Sequence, residues 1–378
     1  MHFELTEDQA LIQDAAQRFA NDRLKPNAAQ WDEEKIFPID VLKESAELGF
    51  AGIYTSEDVG GSGMSRVDAA LIFEQLSRGC VSTAAFISIH NMVSWMIDTW
   101  GDDDQRRRWL PKLTTMDMIG SYCLTEPGSG SDAAAMRTKA VRDGDEYVIN
   151  GSKAFISGAG ASDLYVLMCR TGDGGPKGVS AIVVEKDTPG LSFGANEKKM
   201  GWNSQPTAVV SFEDCRVPVA NRLGEEGQGF TFAMHGLNGG RINIGACSLG
   251  GAAEATQCAL TYAKERQQFG KSIADFQATQ FKLADMATEL DASRLMLLRA
   301  ADALDRKDPA APRYCAMAKR YATDLGSKIA NEALQIHGGY GYLKDYPVER
   351  IVRDLRVHQI LEGTNEIMRV IIAKDLLK

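Results

Sequence analysis

Apolar residues recur at three- and four-residue spacing over the first part of the chain. This spacing places apolar side chains on one face of a helix, and it predicts helices at 7–23, 39–48, 66–78 and 84–100. A glycine-rich loop at 57–65 separates two of these helices. The first 118 residues or so are therefore predicted to be helical.

The same helical spacing returns from about residue 223 to the C-terminus. Residues 312–337 form one such stretch. A second long stripe is marked by Leu283, Met286, Leu290, Leu297, Ala301 and Leu304.

Residues from about 119 to 222 have a different pattern. Their apolar segments are short, rich in β-branched residues and bounded by Gly, Asp or Pro, which is typical of antiparallel strands. These segments are EYVING (146–151), DLYVLMCR (163–170), GVSAIVVE (178–185) and TAVVSFEDCRV (207–217). Asn150-Gly151 and Pro189-Gly190 predict turns. We expect an α+β multidomain protein, with a helical domain at 1–118, a β domain at 119–222 and a second helical domain at 223–378.

Composition narrows the functional classes. The 378 residues carry 42 basic and 51 acidic side chains, a net charge of −9, which argues against nucleic acid or an anionic membrane as the main partner. Seven widely spaced cysteines without a C-x-x-C pair favour reduced thiols in a cytosolic compartment. The N-terminus reads as an acidic helix, with Thr6 and Gln9 as a capping box, and without a targeting segment. We expect a cytoplasmic protein with no membrane span, and a processed mitochondrial form stays open.

A lone carboxylate near the C-terminus has an unusual setting. Glu362 follows the apolar pair Ile360 and Leu361 and precedes Gly363. Burial would destabilise its ionised form, raise its pKa and make it a better base. A surface loop is the alternative interpretation, and this segment alone does not decide between the two.

Two glycine-containing segments resemble nucleotide-binding motifs, but each lacks an essential part. TEPGSGSDAA (125–134) matches a loosened dinucleotide fingerprint, yet Pro127 interrupts the expected strand and another strand follows instead of a crossover helix. Its backbone N–H groups could still cradle a ring edge or a phosphate. Gly270-Lys271-Ser272 resembles the end of a P-loop, but Glu265 occupies a position that needs glycine.

Three further side chains are candidates for a site. Arg266 could hold a pyrophosphate bidentately, or it could be a solvated charge at a helix end. Arg241, in LNGGRIN (237–243), is expected at the start of a Gly-rich helix, where it could meet a phosphate or lie on the surface. His337 has no second ligand at a suitable spacing, so we expect a structural role and no metal site.

Taken together, five segments in this order resemble the acyl-CoA dehydrogenase flavoprotein family across nearly the whole chain. They are YCLTEPGSGSD (122–132), NGSKAFISG (150–158), RQQFGK (266–271), QIHGGYGY (335–342) and ILEGTNEIMR (360–369). The resemblance implies an N-terminal helical domain, a central antiparallel β-barrel-like domain and a C-terminal four-helix bundle. It also implies FAD, a homotetramer built as a dimer of dimers, and an electron-transfer flavoprotein as electron acceptor.

Four more segments resemble the branch of this family that acts on short branched acyl-CoAs. They are GWNSQPT (201–207), FEDCRVPVANRLGEEGQGF (212–230), LNGGRINI (237–244) and RVHQILEG (356–363). This resemblance implies isobutyryl-CoA as substrate and methacrylyl-CoA as product, in valine catabolism. 2-Methylbutyryl- and butyryl-CoA stay open as substrates, because one methylene is worth only about 1–3 kcal/mol in discrimination. An oxidase that passes electrons to oxygen and a non-catalytic assembly factor are less favoured interpretations.

The resemblance also implies roles for individual residues, with Glu362 at the position of the family's catalytic base. Positions beside the flavin ring are Tyr122, Leu124, Thr125, Ile156 and Ser157. Positions at the FAD diphosphate and adenine, partly donated across a subunit interface, are Arg266, Phe269, Phe276, Gln277, Gln335, Gly338 and Gly339. Flavin-nucleotide positions near the base are Thr364 and Glu366. Positions at the acyl-CoA are Ser131, Leu237, Asn238, Arg241, Leu361 and Gly363.

Four positions bear on how closely the chain follows the family pattern. Phe155 stands where many members have Trp against the flavin, and Asn238 replaces a common acidic residue. Leu361 stands where straight-chain members often have Tyr, and we hypothesise that it shapes the pocket for a methyl branch. Gly240 occupies the position that carries the base in isovaleryl-type members, which leaves Glu362 as the candidate base.

Overall fold

The computed structural model describes residues 4–378, and its first part is helical. Thr6 Oγ1 accepts a hydrogen bond from the N–H of Gln9, whose side chain accepts one from the N–H of Thr6, so the predicted capping box is confirmed. The helices of this part are α1 (Glu7–Phe19), α2 (Ala28–Glu34), α3 (Ile39–Glu47), α4 (Arg66–Gly79), α5 (Val81–Trp100) and α6 (Asp103–Leu113).

The predicted helices agree with these bounds except at two ends. The stretch predicted at 7–23 is α-helical only to Phe19, and Ala20–Leu24 continue it as a π-helical turn. The helix predicted from residue 84 begins at Val81. α4 and α5 are buried over most of their length because both pack against the last part of the molecule, and α5 also packs against the central part.

Eight strands form one sheet in the central part. They are β1 (Gly120–Cys123), β2 (Lys139–Asp143), β3 (Glu146–Ser157), β4 (Leu164–Arg170), β5 (Val179–Glu185), β6 (Leu191–Phe193), β7 (Thr207–Pro218) and β8 (Arg222–Leu223). The strand order is β6-β7-β3-β2-β4-β5-β8, and β1 pairs with β4. Most neighbours are antiparallel as predicted, but β1 and β2 run parallel to β4, because the β2–β3 hairpin carries the chain across before β4 begins.

Two irregularities in β3 shape the sheet. The turn predicted at Asn150-Gly151 is wrong: these residues lie inside β3, at a register shift against β7. Gly151 has a φ of +144°, and a Cβ there would stand 2.7 Å from the Cα of Thr138, so glycine permits this close approach. A second shift surrounds Phe155, whose φ is +58°. The turn predicted at Pro189-Gly190 is confirmed, with a φ of +87° at Gly190.

The last part is helical again, with one short hairpin. Its elements are α7 (Gly229–Glu265), β9 (Gln267–Gln268), β10 (Lys271–Ser272), α8 (Gln277–Asp305), α9 (Ala311–His337), α10 (Val348–Arg356) and α11 (Asn365–Leu376). The expectation that Arg241 begins a helix is wrong, because α7 starts at Gly229 and continues through Gly239 and Gly240. Those two glycines admit the side chains of Arg66 and Glu362 against the helix instead of ending it.

Apolar side chains from the first and last parts share one large core, which includes Phe19, Phe86 and Leu297. Separate clusters fill the two faces of the sheet, with Val166 on one face and Leu167 on the other. All seven cysteines are free thiols, as their spacing predicts. Within residues 4–378, no helix combines the length and the apolar character needed to cross a bilayer.

Candidate active site

Glu362 lies on a sharp turn that leads into α11. Its φ is +56° and that of Gly363 is +87°, so two successive residues adopt the left-handed conformation. This region suits glycine but strains a side chain such as that of Glu362, and such strain often marks functional sites. Thr364 ends the turn by accepting a hydrogen bond from the N–H of Ile367 at 3.3 Å, which caps α11.

The carboxylate of Glu362 is buried, although the residue as a whole is only half-buried. Its Oε2 has no exposed surface and, among residues 4–378, no hydrogen-bond partner. Burial raises the pKa of Glu362 to about 7, against the opposing charges of Arg241 and Lys319. A carboxylate that is free of hydrogen bonds and half ionised near neutral pH is suited to accept a proton.

Two buried cations hold the backbone beside this carboxylate. Arg241 is 4% exposed, and it donates to the carbonyl oxygen of Glu362 at 3.3 Å and to Oδ1 of Asn238 at 2.8 Å. Lys319, on α9, donates to the carbonyl oxygen of Gly363 at 2.9 Å. Because both cations bond the main chain, neither one takes up the oxygens of the carboxylate.

A small apolar cluster adjoins the turn. Leu361 and Val357 pack against Ala85, Trp202 and Ile244, which come from α5, the loop before β7, and α7. The cluster lies directly before Glu362 in the chain and places aliphatic and aromatic side chains beside the turn.

Hydrogen bonds join the loop after β1 to β3 at its second register shift, and we call this contact the sheet joint. Lys153 is fully buried and donates through Nζ to the carbonyl oxygen of Leu124 and to Oε1 of Glu126, both at 2.9 Å. The N–H of Ala154 donates to the carbonyl oxygen of Thr125 at 2.9 Å. Next to this joint, the ring of Phe155 is 67% exposed, which is unusual for an aromatic side chain on a strand.

Other candidates in the sheet differ in what they can offer to a ligand. The hydroxyl of Tyr122 is buried and lacks a partner within the described part of the chain. Burial raises the pKa of Tyr122 well above its usual value, and the negative charge of Glu362 adds to this. Ile156 is buried in the core of the sheet and can offer only its backbone, whereas Ser157 is half-buried.

A second set of candidates lies at the far end of α7, around two open clefts. One cleft of about 440 Å³ is lined by Arg266, Gly338 and Gly339. A neighbouring cleft of about 400 Å³ is lined by Phe269, Phe276 and Gln335. Gln277 begins α8 directly after Phe276.

The two sets are far apart within one chain. Arg266 follows Gly240 by 26 positions along α7, which corresponds to roughly 39 Å at the rise of an α-helix. The structure therefore brings the residues into two groups, one around Glu362 and one around Arg266, and does not unite them in a single protomer.

The remaining candidates occupy varied positions. Ser131 is exposed on the loop after β1, and Glu366 is exposed in the first turn of α11. Leu237 is half-buried on α7. His337 is buried, its Nδ1 lies 2.8 Å from the carbonyl oxygen of Ala333, and its ring stacks on Tyr262, which agrees with the structural role expected for it.

Sequence reasoning missed Lys319 and Lys153, the two fully buried lysines of the site. For Lys319 a signal exists: buried Cys315 and Thr323 stand four positions on either side, on the same face of the helix. Lys153 follows three polar or glycine residues on β3, and nothing in that pattern marks it as buried.

Comparison with known protein families shows which family the sequence matches. Three acyl-CoA dehydrogenase family models match the chain: the N-terminal domain at 6–117, the middle domain at 121–215 and the C-terminal domain at 227–377. Together they span nearly all described residues, including the turn at Glu362 and the joint at Lys153.

Individual proteins are similar over the whole chain. A mitochondrial isobutyryl-CoA dehydrogenase of Dictyostelium discoideum is 60% identical, over 99% of this chain and 90% of its own length. The protein of the same name from Bos taurus is 58% identical with the same coverage. The solved structure of butyryl-CoA dehydrogenase from Megasphaera elsdenii is 37% identical, covers 100% of both chains and has a TM-score of 0.97.

Proposed function

This chain belongs to the acyl-CoA dehydrogenase family, and on that premise we propose that it oxidises isobutyryl-CoA to methacrylyl-CoA, a step of valine catabolism. It is an oxidoreductase that acts on CH–CH groups. The observation that carries the proposal is the carboxylate of Glu362, which is buried, free of hydrogen bonds among residues 4–378, and has a pKa of about 7.

Glu362 is the proposed base for the α proton. The C–H bond beside a thioester is a weak acid, so removal of its proton sets two conditions. The carboxylate must be fixed next to the C–H bond, and its pKa must be raised so that it accepts a proton readily. Burial provides the second condition, and the clamped turn at Gly363 provides the first. A carboxylate exposed to water would have a lower pKa and would be a weaker base.

The backbone of the same residue can stabilise the developing negative charge on the thioester oxygen. The N–H of Glu362 makes no hydrogen bond to any described residue. A fixed N–H directed at such an oxygen contributes roughly 2.7–4 kcal/mol in comparable oxyanion sites. Base and donor would then belong to one residue, held by one turn.

The family depends on FAD, which, when bound, accepts the β hydrogen as hydride. The residues fit such a group. The exposed ring of Phe155 offers a stacking surface, and the unpartnered hydroxyl of Tyr122 offers a donor. Leu124 and Thr125 are held by bonds from Lys153 and Ala154, and Ser157 is half-buried at the end of β3. Thr364 and Glu366, at the start of α11, would contact the nucleotide near the base.

The second set of residues would hold the diphosphate and adenine of FAD bound to another copy of the chain. Arg266 supplies a cation for a diphosphate, while Phe269 and Phe276 supply aromatic surface for a base. The separation of roughly 39 Å along α7 is the reason for a donor from a second copy. We infer a homotetramer in which pairs of subunits complete each other's sites.

The remaining substrate contacts concern the CoA portion and the acyl group. Ser131 and Leu237 are available to CoA, whereas Arg241 and Asn238 bond each other and would act mainly by holding the turn at Gly363. Leu361 and its cluster would contact the methyl branch.

An electron-transfer flavoprotein is the proposed electron acceptor, because the reaction leaves two electrons in the protein at every turnover. The seven free thiols suit a reducing compartment, either the cytoplasm or a mitochondrial matrix. For the division into domains we keep boundaries at 118/119 and 222/223; the first falls between α6 and β1, and the second falls within the two-residue strand β8, shortly before α7.

The proposal is tested by steady-state kinetics of the FAD-loaded enzyme with isobutyryl-, 2-methylbutyryl- and butyryl-CoA and an artificial electron acceptor. We expect kcat/KM to be about tenfold or more higher for isobutyryl-CoA than for each of the others. Equal or higher values for butyryl-CoA would reject the substrate assignment. Peroxide release without an added acceptor would identify an oxidase instead, and a protein that cannot be loaded with FAD would point to an assembly factor.

A further inference from the structure

A fully buried lysine lies behind the turn that carries Glu362. Lys319 has no exposed surface, and no carboxylate among residues 4–378 lies within 4.0 Å of its Nζ. Burial of a cation without an anionic partner is costly, so it calls for compensating bonds to the charged group. Lys319 makes such bonds at the turn, where its Nζ donates to the carbonyl oxygen of Gly363 and to Oδ1 of Asn365, each at 2.9 Å.

These bonds fasten the turn to α9. Asn365, the first residue of α11, donates through Nδ2 to Thr323 Oγ1 at 2.9 Å and to Asp324 Oδ1 at 2.7 Å, both on α9. Lys319 adds its hydrogen bond to the carbonyl oxygen of Gly363, two positions before Asn365. The segment that follows Glu362 is thereby held on one helix through several side chains.

Arg241 holds the same turn from the other side. It donates from α7 to the carbonyl oxygen of Glu362, while Lys319 donates from α9 to that of Gly363. Two cations from two helices thus fix successive peptide groups. Glu362 and Gly363 both have left-handed φ values, and this conformation is strained for Glu362. The direction of the carboxylate therefore depends on these bonds.

We propose that Lys319 is a positioning residue of the dehydrogenation, which holds the Gly363 peptide so that the carboxylate and N–H of Glu362 face the substrate together. The inference rests on the proposed function, because it gives Lys319 its role through Glu362. Lys319 itself touches neither the substrate nor the reacting atoms.

The charge of Lys319 acts on Glu362 as well. Burial lowers the pKa of Lys319 to about 8, which leaves it cationic at neutral pH. The other charged groups that act on it are Glu362, Arg241, Asp324 and Glu366. His358 faces the same region, and burial together with the charge of Lys319 lowers its pKa to about 3, so it is neutral. Loss of the ammonium would therefore raise the pKa of Glu362.

Two substitutions separate the two effects. Lys319→Met removes both the donor and the charge at similar length, while Lys319→Gln keeps a neutral donor for the turn. Lys328→Met is the matched control, because Lys328 lies on the same helix, is exposed and pairs with Glu289. Each FAD-loaded protein is assayed for flavin content, for kcat and KM with isobutyryl-CoA across pH, and for hydrogen exchange of the amides at 360–367.

We expect Lys319→Met to retain FAD, to lose roughly tenfold or more in kcat with little change in KM, and to exchange faster at 360–367. The acidic limb of its pH profile moves up by about one pH unit. Lys319→Gln moves the limb upward with smaller changes in exchange, and Lys328→Met behaves as the wild type.

Wild-type kcat and an unmoved limb in both Lys319 variants would overturn the inference. A lower kcat with an unmoved limb and unchanged exchange would overturn it too, because it would indicate a distant structural effect. If Lys319→Met does not fold, the position of the acidic limb in the pH profile of Lys319→Gln tests the inference. A wild-type enzyme that oxidises none of the acyl-CoAs would instead reject the proposed function.

Discussion

The carboxylate of Glu362 fills the space that a side chain at position 240 would occupy. A Cβ built on Gly240 would stand 2.5 Å from Oε2 of Glu362 and 2.8 Å from its Cδ. Contacts this short force atoms to move, so α7 has room for the base only because residue 240 is glycine.

Gly240→Ala should therefore impair the reaction without unfolding the protein. The added methyl displaces the carboxylate, and we expect kcat to fall by roughly 100-fold, as misplacement of a catalytic group by about 1 Å does. Alanine is a better helix former than glycine by about 1 kcal/mol, which supports α7. Gly236→Ala is the control, because the atoms nearest to its Cβ would belong to the side chains of Met92 and Met96, at 3.5 Å or more, which is ordinary contact. Equal kcat values in the two variants would contradict the close approach.

The pH profile should reflect the buried carboxylate. Glu362 must be deprotonated to accept a proton, and burial raises its pKa from 4.5 to about 7. We therefore expect kcat/KM to rise with pH through a value near 7 and to be low below it. An acidic limb near pH 4.5, the ordinary value for a glutamate, would mean that the base is exposed or is another group.

The pair of Lys153 and Glu126 should stabilise the joint beside the proposed flavin site. Burial raises the pKa of Glu126, but hydrogen bonds from Lys153, Thr138 and Arg137 outweigh it and lower the pKa to about 2. This contribution to stability is present above the unfolded pKa and is lost as the pH falls toward 2. Lys153→Met leaves a buried carboxylate unpaired, so we expect the free energy of unfolding to fall by about 3–5 kcal/mol in chemical denaturation.

Arg216→Met is the control for that loss. Arg216 pairs with Asp143 and Glu146 on the exposed side of the sheet, and surface pairs contribute little. Its denaturation midpoint should match that of the wild type. If both variants lost the same stability, burial of the Lys153 pair would not be what stabilises the joint.

Leu361→Tyr should change the preference between branched and linear substrates. Leu361 packs with Trp202 and Ile244 in the cluster before Glu362, and a larger ring there reduces the space for a methyl branch. We expect the ratio of kcat/KM for isobutyryl-CoA to that for butyryl-CoA to fall by about tenfold or more. Leu361→Met, of similar volume, should leave the ratio near that of the wild type. An unchanged ratio in Leu361→Tyr would rule out Leu361 as a selectivity determinant.

The long helices and the strands β3, β4, β5 and β7 could be predicted from local pattern because each one buries many apolar side chains. The capping box at Thr6 and strands such as β4 (Leu164–Arg170) follow from a few neighbouring residues. The turn expected at Asn150-Gly151 was wrong because the close approach that needs glycine there comes from Thr138, the residue directly before β2. Local sequence cannot distinguish a glycine required by a turn from one required by a distant neighbour.

The arrangement of the site depended on contacts between distant parts of the chain. Glu362 could be singled out by its apolar neighbours, and the motifs around Tyr122 and Arg266 resemble those of a known family. The hydrogen bond from Lys319 to the Gly363 carbonyl could not be predicted, because Gly363 lies 44 positions later in the chain. The environment of Arg241 was also missed, since its bonds depend on the same turn.

The most direct test of the account is the rate of flavin reduction by isobutyryl-CoA in Glu362→Gln, measured anaerobically in a stopped-flow instrument. Glutamine keeps the size of the side chain and the backbone N–H but cannot accept the proton. The account predicts normal FAD content and substrate binding, with a rate of flavin reduction at least about 100-fold below that of the wild type. A rate within about threefold of the wild type would contradict the assignment of Glu362 as the base.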